Sequence, residues 1–441
     1  MVEQPQQTAF QPWQSLLDPD LDATIYQRGQ HSAGTYIRVY VPRAAERPGE
    51  SLRVILYLHG FALGLPCFYE AHLRELVRQG WVVIFPDFQF SAYPDLPLAA
   101  AADAVQASSA NQQAPQWTGT TLRLLRRSGD QRLQAEDLPP ALAAAAPAAG
   151  LPPAAGLPPA QVRDLRRVLL PWILIQLVLW VIGWFRRSYA RNLSKLLGTV
   201  LLSLAYSPKV WLAQAIGQAE AALDDLAQLP PYNHWRTQSW AAYSFGHSLG
   251  GLLSLSIASL QGDQAPQRLQ PRVVLAADPT TSTTTGIPSF AITLLRLFDA
   301  PFTRDPITIA TTGSALHQPV AILHGMADDL VKPQLWATAS GGGAFSFIAS
   351  PAKALYFSES NTTATPPLVA FHNQAVTSTQ YYDDALFEHF GGVKVGPNAY
   401  NTSWIWPALT ALFTEVTTPS ELLEHLPPPP FRVSADPPAQ G

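Results

Sequence analysis

Residues 240–253, Trp240-Ala-Ala-Tyr-Ser-Phe-Gly-His-Ser-Leu-Gly-Gly-Leu-Leu253, pass from one apolar run through a G-x-S-x-G pentapeptide into another. Trp240 to Phe245 reads as a buried strand, and Leu252 to Leu260 as a helix. The pentapeptide Gly246–Gly250 must therefore turn the chain sharply between them. Such a turn forces its central residue, Ser248, into strained backbone geometry. Glycine two positions before and two after removes Cβ atoms where neighbouring segments have to pass closely. The turn lifts the Ser248 hydroxyl clear of the sheet and sets it at a helix N-terminus, where free N–H groups favour developing negative charge. A bare pentapeptide is a weak signal; strand, pentapeptide and helix in succession point to a nucleophilic serine.

Upstream, Thr35 to Val41 alternates like a strand, and Leu52 to Leu58 is nearly continuous in apolar character, as buried central strands are. Leu58 runs into His59-Gly60-Phe61-Ala62-Leu63-Gly64. Glu70 to Gln79 has helical periodicity and is stopped by Gly80; Trp81 to Phe85 is another buried strand, ending at Pro86-Asp87. Strand, helix, strand in this order predicts a parallel sheet. Downstream of Ser248, Pro271 to Asp278, Pro319 to Leu323 and Ala354 to Phe357 read as strands. Lys209 to Gln228 and Trp404 to Phe413 read as helices, and Thr280 to Thr285 as a loop able to line a site.

Leu58-His59-Gly60-Phe61, Gly80 to Asp87, Gly246 to Gly250, Leu323 to Val331 and Phe371-His372 together resemble the α/β-hydrolase family, over residues 30–95 and 235–415. The resemblance implies an α/β fold with a mostly parallel eight-stranded sheet and helices on both faces. It also implies a nucleophile, acid and base in that chain order on loops at the strand C-termini. Ser248 is then the nucleophile. The base is His372, with His389 as its rival. The acid is Asp328, in the turn Gly325-Met-Ala-Asp-Asp-Leu-Val, with Asp278 and Asp329 as alternatives. The N–H groups of Phe61 and Leu249 would form the oxyanion hole. His59 and His324 lie in His-Gly turns and read as structural, and His247 is too close in sequence to turn back on Ser248. The lone cysteine, Cys67, reads as filler. His59-Gly60-Phe61, Gly246-His-Ser and Ala277-Asp278-Pro279 are also similar to chlorophyllases, although Leu249 replaces the arginine expected after their serine.

An insertion at 96–235 separates the two hydrolase-like parts, 31–95 and 236–415. It contains an Ala/Pro-rich linker, 139–160, and an apolar, basic stretch, 163–209. Within that stretch Val168 to Phe185 carries Gln176 as its single polar side chain, flanked by Arg166, Arg167, Arg186 and Arg187. As a helix it would be about 27 Å long, nearly a bilayer core. One crossing would put the two halves of a single sheet on opposite sides of the membrane. A lid or hairpin embedded from one side is therefore expected. Residues 117–209 hold twelve Lys/Arg against four Asp/Glu, a surplus of eight; with a net charge of −4 overall, the rest of the chain carries −12. That asymmetry suits docking on an anionic membrane surface.

Charged residues make up 14% of the chain, against roughly 25% in ordinary soluble domains. The negative net charge argues against a nucleic-acid partner. One cysteine excludes an intrachain disulfide. The N-terminus shows no basic and apolar signal-peptide pattern. Residues 1–30 read as a loosely packed arm and 416–441 as a Pro-rich tail, disordered from Pro427 on. The expectation is a cytoplasmic, membrane-associated serine hydrolase of an apolar or lipid-like ester, with no cofactor or metal. A chlorophyllase-like esterase or thioesterase, or a catalytically silent lipid-binding relative, are the alternatives.

Overall fold

The strand Ser51–Leu58 is buried along nearly its whole length because its two faces feed different cores. Val54, Leu56 and Leu58 enter one apolar cluster, Ile55 and Tyr57 the other. This is the period-two alternation of a strand covered on both sides. The computed structural model describes residues 12–437 except 50, 92, 94, 97, 99–198, 201–202, 205, 288, 298–299 and 383–393. The strands are β1 (Gln14–Asp18), β2 (Ala23–Arg28), β3 (Ile37–Pro42), β4 (Ser51–Leu58), β5 (Val82–Pro86), β6 (Ser239–His247), β7 (Val274–Ala277), β8 (Val320–Gly325), β9 (Lys353–Ser358) and β10 (Val433–Ser434). They form one mixed sheet in the order β1-β2-β3-β5-β4-β6-β7-β8-β9-β10. From β5 to β9 in that order the strands are parallel, and β1, β2, β3 and β10 join antiparallel at the edges.

Helices cover both faces. Helix α1 (Glu70–Arg78) buries Leu73, Leu76 and Val77 in the cluster shared with Ile55 and Tyr57. Helix α2 (Pro208–Leu226) packs Trp211, Leu212, Ala215 and Leu223 on the opposite face, beside Val54 and Leu56. Helix α3 (Leu249–Ser256) follows β6 after a single residue, Ser248. Helix α4 (Trp406–Phe413) lies on the α1 side through Leu409, Leu412 and Phe413.

Three expectations need correction. Among the described residues the sheet has ten strands, not eight. The loose arm over 1–30 is in part β1 and β2, which extend the sheet. Polar residues hid β2: Gln27 is buried because its Oε1 accepts from Tyr36 Oη–H and the Arg38 guanidinium, and Arg28 pairs with Asp225. The tail is ordered as far as 437: Phe431 packs on Tyr400, and Val433 and Ser434 pair with β9. The linker 139–160, the apolar run 168–185 and His389 lie outside the described residues. Among the described residues no helix is long and apolar enough to cross a membrane.

Candidate active site

Ser248 sits between β6 and α3 with φ 53° and ψ −118°, a conformation that costs a non-glycine residue free energy. The flanking glycines explain how the turn survives. A Cβ on Gly246 would stand 2.2 Å from Gly250 O, and one on Gly250 2.2 Å from Leu58 O. Both obstacles are backbone, so no side-chain rearrangement relieves them. Helix α3 can start immediately after Ser248 only because β4 and α3 approach this closely.

His372 lies 44 residues beyond Asp328 in sequence, yet its Nδ1 is 2.7 Å from Asp328 Oδ2 and its Nε2 is 2.6 Å from Ser248 Oγ. The extra chain folds into local excursions. Thr338 N–H closes on Gly342 O, and Asn361 bridges Leu368, returning the backbone to the sheet before His372. An ionised carboxylate only accepts, so Nδ1 carries the proton and Nε2 offers a lone pair to the Ser248 hydroxyl. Burial works against a charge on Asp328. The His372 and His324 imidazoles and the N–H groups of Leu330 and Val331, both 2.9 Å from Oδ1, nevertheless hold its carboxyl below the usual range.

The other sequence candidates fall elsewhere. Asp278 follows β7 directly with φ 45°, and its Oδ1 accepts from Gly325 N–H and Gln374 Nε2–H, each at 2.9 Å. Burial, and then the nearby Asp328 charge, push its pKa well up. Asp329 is exposed. His59 Nδ1 contacts Gly60 O at 2.8 Å and its Nε2 lies 3.3 Å from Asp87. His324 Nε2 donates to Val331 O, and burial lowers its pKa to about 4. Cys67 is enclosed enough for burial to push its thiol up to about 12, which fits filler rather than a nucleophile. Asp278, His324 and Asp328 bring potential metal-ligating atoms within 4.8 Å of one another, but each already engages neighbouring protein groups.

His247, read from the sequence as too close to Ser248 to serve as base, makes contacts that its sequence position conceals. Its Nε2 is 2.7 Å from His372 O and its Nδ1 2.8 Å from Tyr69 Oη, which also accepts from Gly60 N–H at 2.9 Å. A carbonyl only accepts, which fixes every donor: Gly60 N–H to Tyr69, Tyr69 O–H to Nδ1, Nε2–H to His372 O. The chain requires a neutral imidazole, and burial lowers the His247 pKa to about 3. It ties the loop after β4 to the loop of His372. The former is clamped again at Ala62, whose N–H donates to Gln89 Oε1 at 2.8 Å and whose carbonyl accepts from Tyr93 and Tyr382 hydroxyls. Lys394, buried, donates to Gln374 O at 3.1 Å and Asn401 Oδ1 at 3.0 Å, anchoring the stretch after His372. No local motif marks Tyr69 or Lys394, because their partners are remote in sequence.

Ser248, His372, Phe61 and Leu249 open on one cavity of about 380 Å³. Leu204 and Val200, from the end of the insertion, supply part of its apolar wall, and the 280–285 loop supplies another.

No protein-family model matches the sequence, and no curated protein matches it. Among solved structures, a cold-adapted esterase from an Arctic intertidal metagenomic library is 13% identical, over 81% of this chain and 92% of its own, with a TM-score of 0.32. An acetyl xylan esterase from Paenibacillus sp. R4 is 15% identical over 80% and 83%, at 0.34. An esterase from Pyrococcus furiosus is 9% identical over 82% and 84%, at 0.34. All three are described as esterases. Likeness this partial adds no weight to a functional assignment, which rests on the site's own geometry.

Proposed function

We propose that the protein is a serine hydrolase that cleaves a carboxylic ester through Ser248, His372 and Asp328. The observation that carries this is the unbroken hydrogen-bond chain from Ser248 Oγ through His372 to Asp328 Oδ2, opening on a mainly apolar cavity. A serine hydroxyl is a weak nucleophile until a base accepts its proton. As Ser248 Oγ bonds to the ester carbonyl carbon, His372 Nε2 takes the hydroxyl proton and Asp328 stabilises the resulting imidazolium. The carbonyl oxygen becomes an oxyanion facing the Phe61 and Leu249 N–H groups, neither of which has a hydrogen-bond partner among the described residues. Collapse breaks the bond to the alcohol oxygen, which leaves with the proton from His372. Water, deprotonated by the same nitrogen, then attacks the acyl-enzyme and frees the acid and Ser248.

Labelling with a fluorophosphonate probe tests the assignment: wild type reacts and Ser248→Ala does not. Loss of p-nitrophenyl ester turnover in His372→Ala is expected. Normal turnover there, with loss in His389→Ala, would transfer the base to His389. The basic, apolar insertion supports a further part of the proposal, that it brings the acidic body to an anionic membrane surface. Equal flotation on anionic liposomes with and without residues 163–209, in folded protein, would reject that part.

A further inference from the structure

The loop that carries His372 is held by its carbonyl groups. His372 O accepts from His247 Nε2–H at 2.7 Å. Asn373 O accepts from Val376 N–H at 3.1 Å and from Lys394 Nζ at 3.5 Å. Gln374 O accepts from Lys394 Nζ at 3.1 Å and from Asn401 Nδ2–H at 2.8 Å. Three successive carbonyls, beginning at the proposed base, are thus tied to side chains from outside the loop. Lys394 is the cation among those side chains. Its third acceptor is Asn401 Oδ1 at 3.0 Å. Its backbone is pinned as well: Lys394 N–H donates to Thr379 Oγ1 at 2.7 Å, and Lys394 O accepts from Thr379 N–H at 2.8 Å.

An ammonium has three hydrogens and no lone pair, so three oxygens match it. A neutral amine has two hydrogens and turns a lone pair on the third oxygen, which leaves a buried carbonyl or amide oxygen facing repulsion instead of a donor. Lys394 is buried, its three partners are neutral oxygens, and burial lowers its pKa to about 7. Among the described residues the titratable groups around it bring little charge to oppose that. Burial pushes the pKa of Asp278, just after β7, well up, and raises that of Tyr400, beside Asn401. His247, on β6, is held neutral by its own partners, and His372 shares the clamped loop. We infer that Lys394 is a positioning residue for the proposed base: its ammonium clamps the Asn373 and Gln374 carbonyls so that His372 Nε2 stays on Ser248 Oγ, and turnover fades where that ammonium gives up its proton. This rests on the proposed ester hydrolysis and adds a control to it. Lys394 touches neither substrate nor reacting atoms; it acts through the backbone that aims His372.

The test follows p-nitrophenyl butyrate turnover and fluorophosphonate labelling from about pH 5 to about pH 9 in wild type, Lys394→Met and Asn401→Asp. In wild type kcat should fall about tenfold or more between about pH 7 and about pH 9, with KM steady. Lys394→Met should start about tenfold to a hundredfold lower in kcat, as a displaced base implies, and show no such fall, because its side chain does not titrate. Asn401→Asp sets a carboxylate against Nζ and should move the fall up by about one pH unit or more. A purely structural lysine would lower stability without giving or moving this limb. A wild-type profile without the fall, a fall that persists in Lys394→Met, or one that Asn401→Asp leaves in place overturns the inference and leaves the hydrolase assignment standing. If Lys394→Met does not fold, the wild-type profile and Asn401→Asp decide. No turnover together with no labelling at any pH removes both.

Discussion

Replacing Tyr69 by Phe removes one oxygen and disturbs both sides of the site. The hydroxyl is fully buried, donating to His247 Nδ1 at 2.8 Å and accepting from Gly60 N–H at 2.9 Å. Phenylalanine keeps the ring, so packing against Tyr57 and Phe85 survives, and the vacated space is too small for a water. Two buried polar groups lose their partner together. At about 1–3 kcal/mol for each unsatisfied group, the variant should be less stable by about 2–6 kcal/mol. His247→Phe is the complementary change, leaving Tyr69 O–H and His372 O unpaired. In the double variant the two groups that formerly faced each other are both gone, and Gly60 N–H and His372 O remain. The double variant should therefore be more stable than the summed single effects allow, by about 1.5 kcal/mol or more.

Urea unfolding of wild type, both single variants and the double variant measures every corner of the cycle. Turnover measured in parallel should fall about tenfold in Tyr69→Phe, since a loosened Gly60–Phe61 peptide aims the proposed oxyanion donor, Phe61 N–H, less well, and outright loss of one such donor costs about a hundredfold to a thousandfold. A single effect below about 0.5 kcal/mol, or additivity within about 0.3 kcal/mol, would refute the donor-to-acceptor chain from Gly60 to His372.

Asp328→Asn should leave the fold intact and cut kcat by about a thousandfold to ten-thousandfold, because a neutral amide cannot stabilise the imidazolium or fix its tautomer; steady-state kinetics on a p-nitrophenyl ester measures it. Gly250→Ala should cost about 3 kcal/mol or more, read from thermal or urea unfolding, because its Cβ meets two backbone carbonyls, Leu58 O at 2.2 Å and His59 O at 2.5 Å. Asp278→Asn should flatten the pH dependence of stability. The folded pKa of Asp278 lies above its unfolded one, so its contribution is fully present below about pH 4, the unfolded carboxyl range, and is lost as pH rises through the folded pKa. The Asn variant should gain on wild type as pH rises from about 4, and unfolding curves at several pH values that stay parallel would count against the raised pKa.

The parts of the fold that the sequence displays are those where one local pattern has one physical cause. Val54 to Leu58 had to be a two-sided strand, and Gly246 and Gly250 had to flank a close approach, since no other arrangement suits those side chains. The parts it conceals depend on remote partners. Strand β2 contains Gln27 and Arg28, and only Tyr36, Arg38 and Asp225 make their burial tolerable. Strand β10 is two residues long and exists because β9 offers it an edge. Tyr69 looks like one aromatic residue among many until His247 and Gly60 surround it. The 280–285 loop was legible as a lining segment, but which of its hydroxyls pair with one another depends on the folded backbone.

The two carboxylates that compete in sequence for the role of acid are shifted in opposite directions, the Asp278 pKa up and the Asp328 pKa down. Asp278 and Asp328 both follow strands that point at Ser248, and each is buried. Two buried carboxyls this close do not both ionise readily, since each charge raises the other's pKa. The charge goes to the carboxyl with the better compensation. Asp328 has the His372 and His324 imidazoles and two backbone N–H groups in its own turn. Asp278 has Gly325 N–H and Gln374 on one oxygen, and its other oxygen is buried without a partner among the described residues. Asp278 is thus the one whose pKa is pushed up. A neutral Asp278 leaves Asp328 as the single negative charge facing His372, and it does so without withdrawing the hydrogen bonds that hold the Gly325 peptide and Gln374. Gln374 is two residues from His372, so the same neutral carboxyl also braces the loop that carries the proposed base. A negative Asp278 would raise the Asp328 pKa and weaken its hold on the imidazolium. In the proposed mechanism a proton on Asp278 thus favours the ionised Asp328 that would steady the imidazolium.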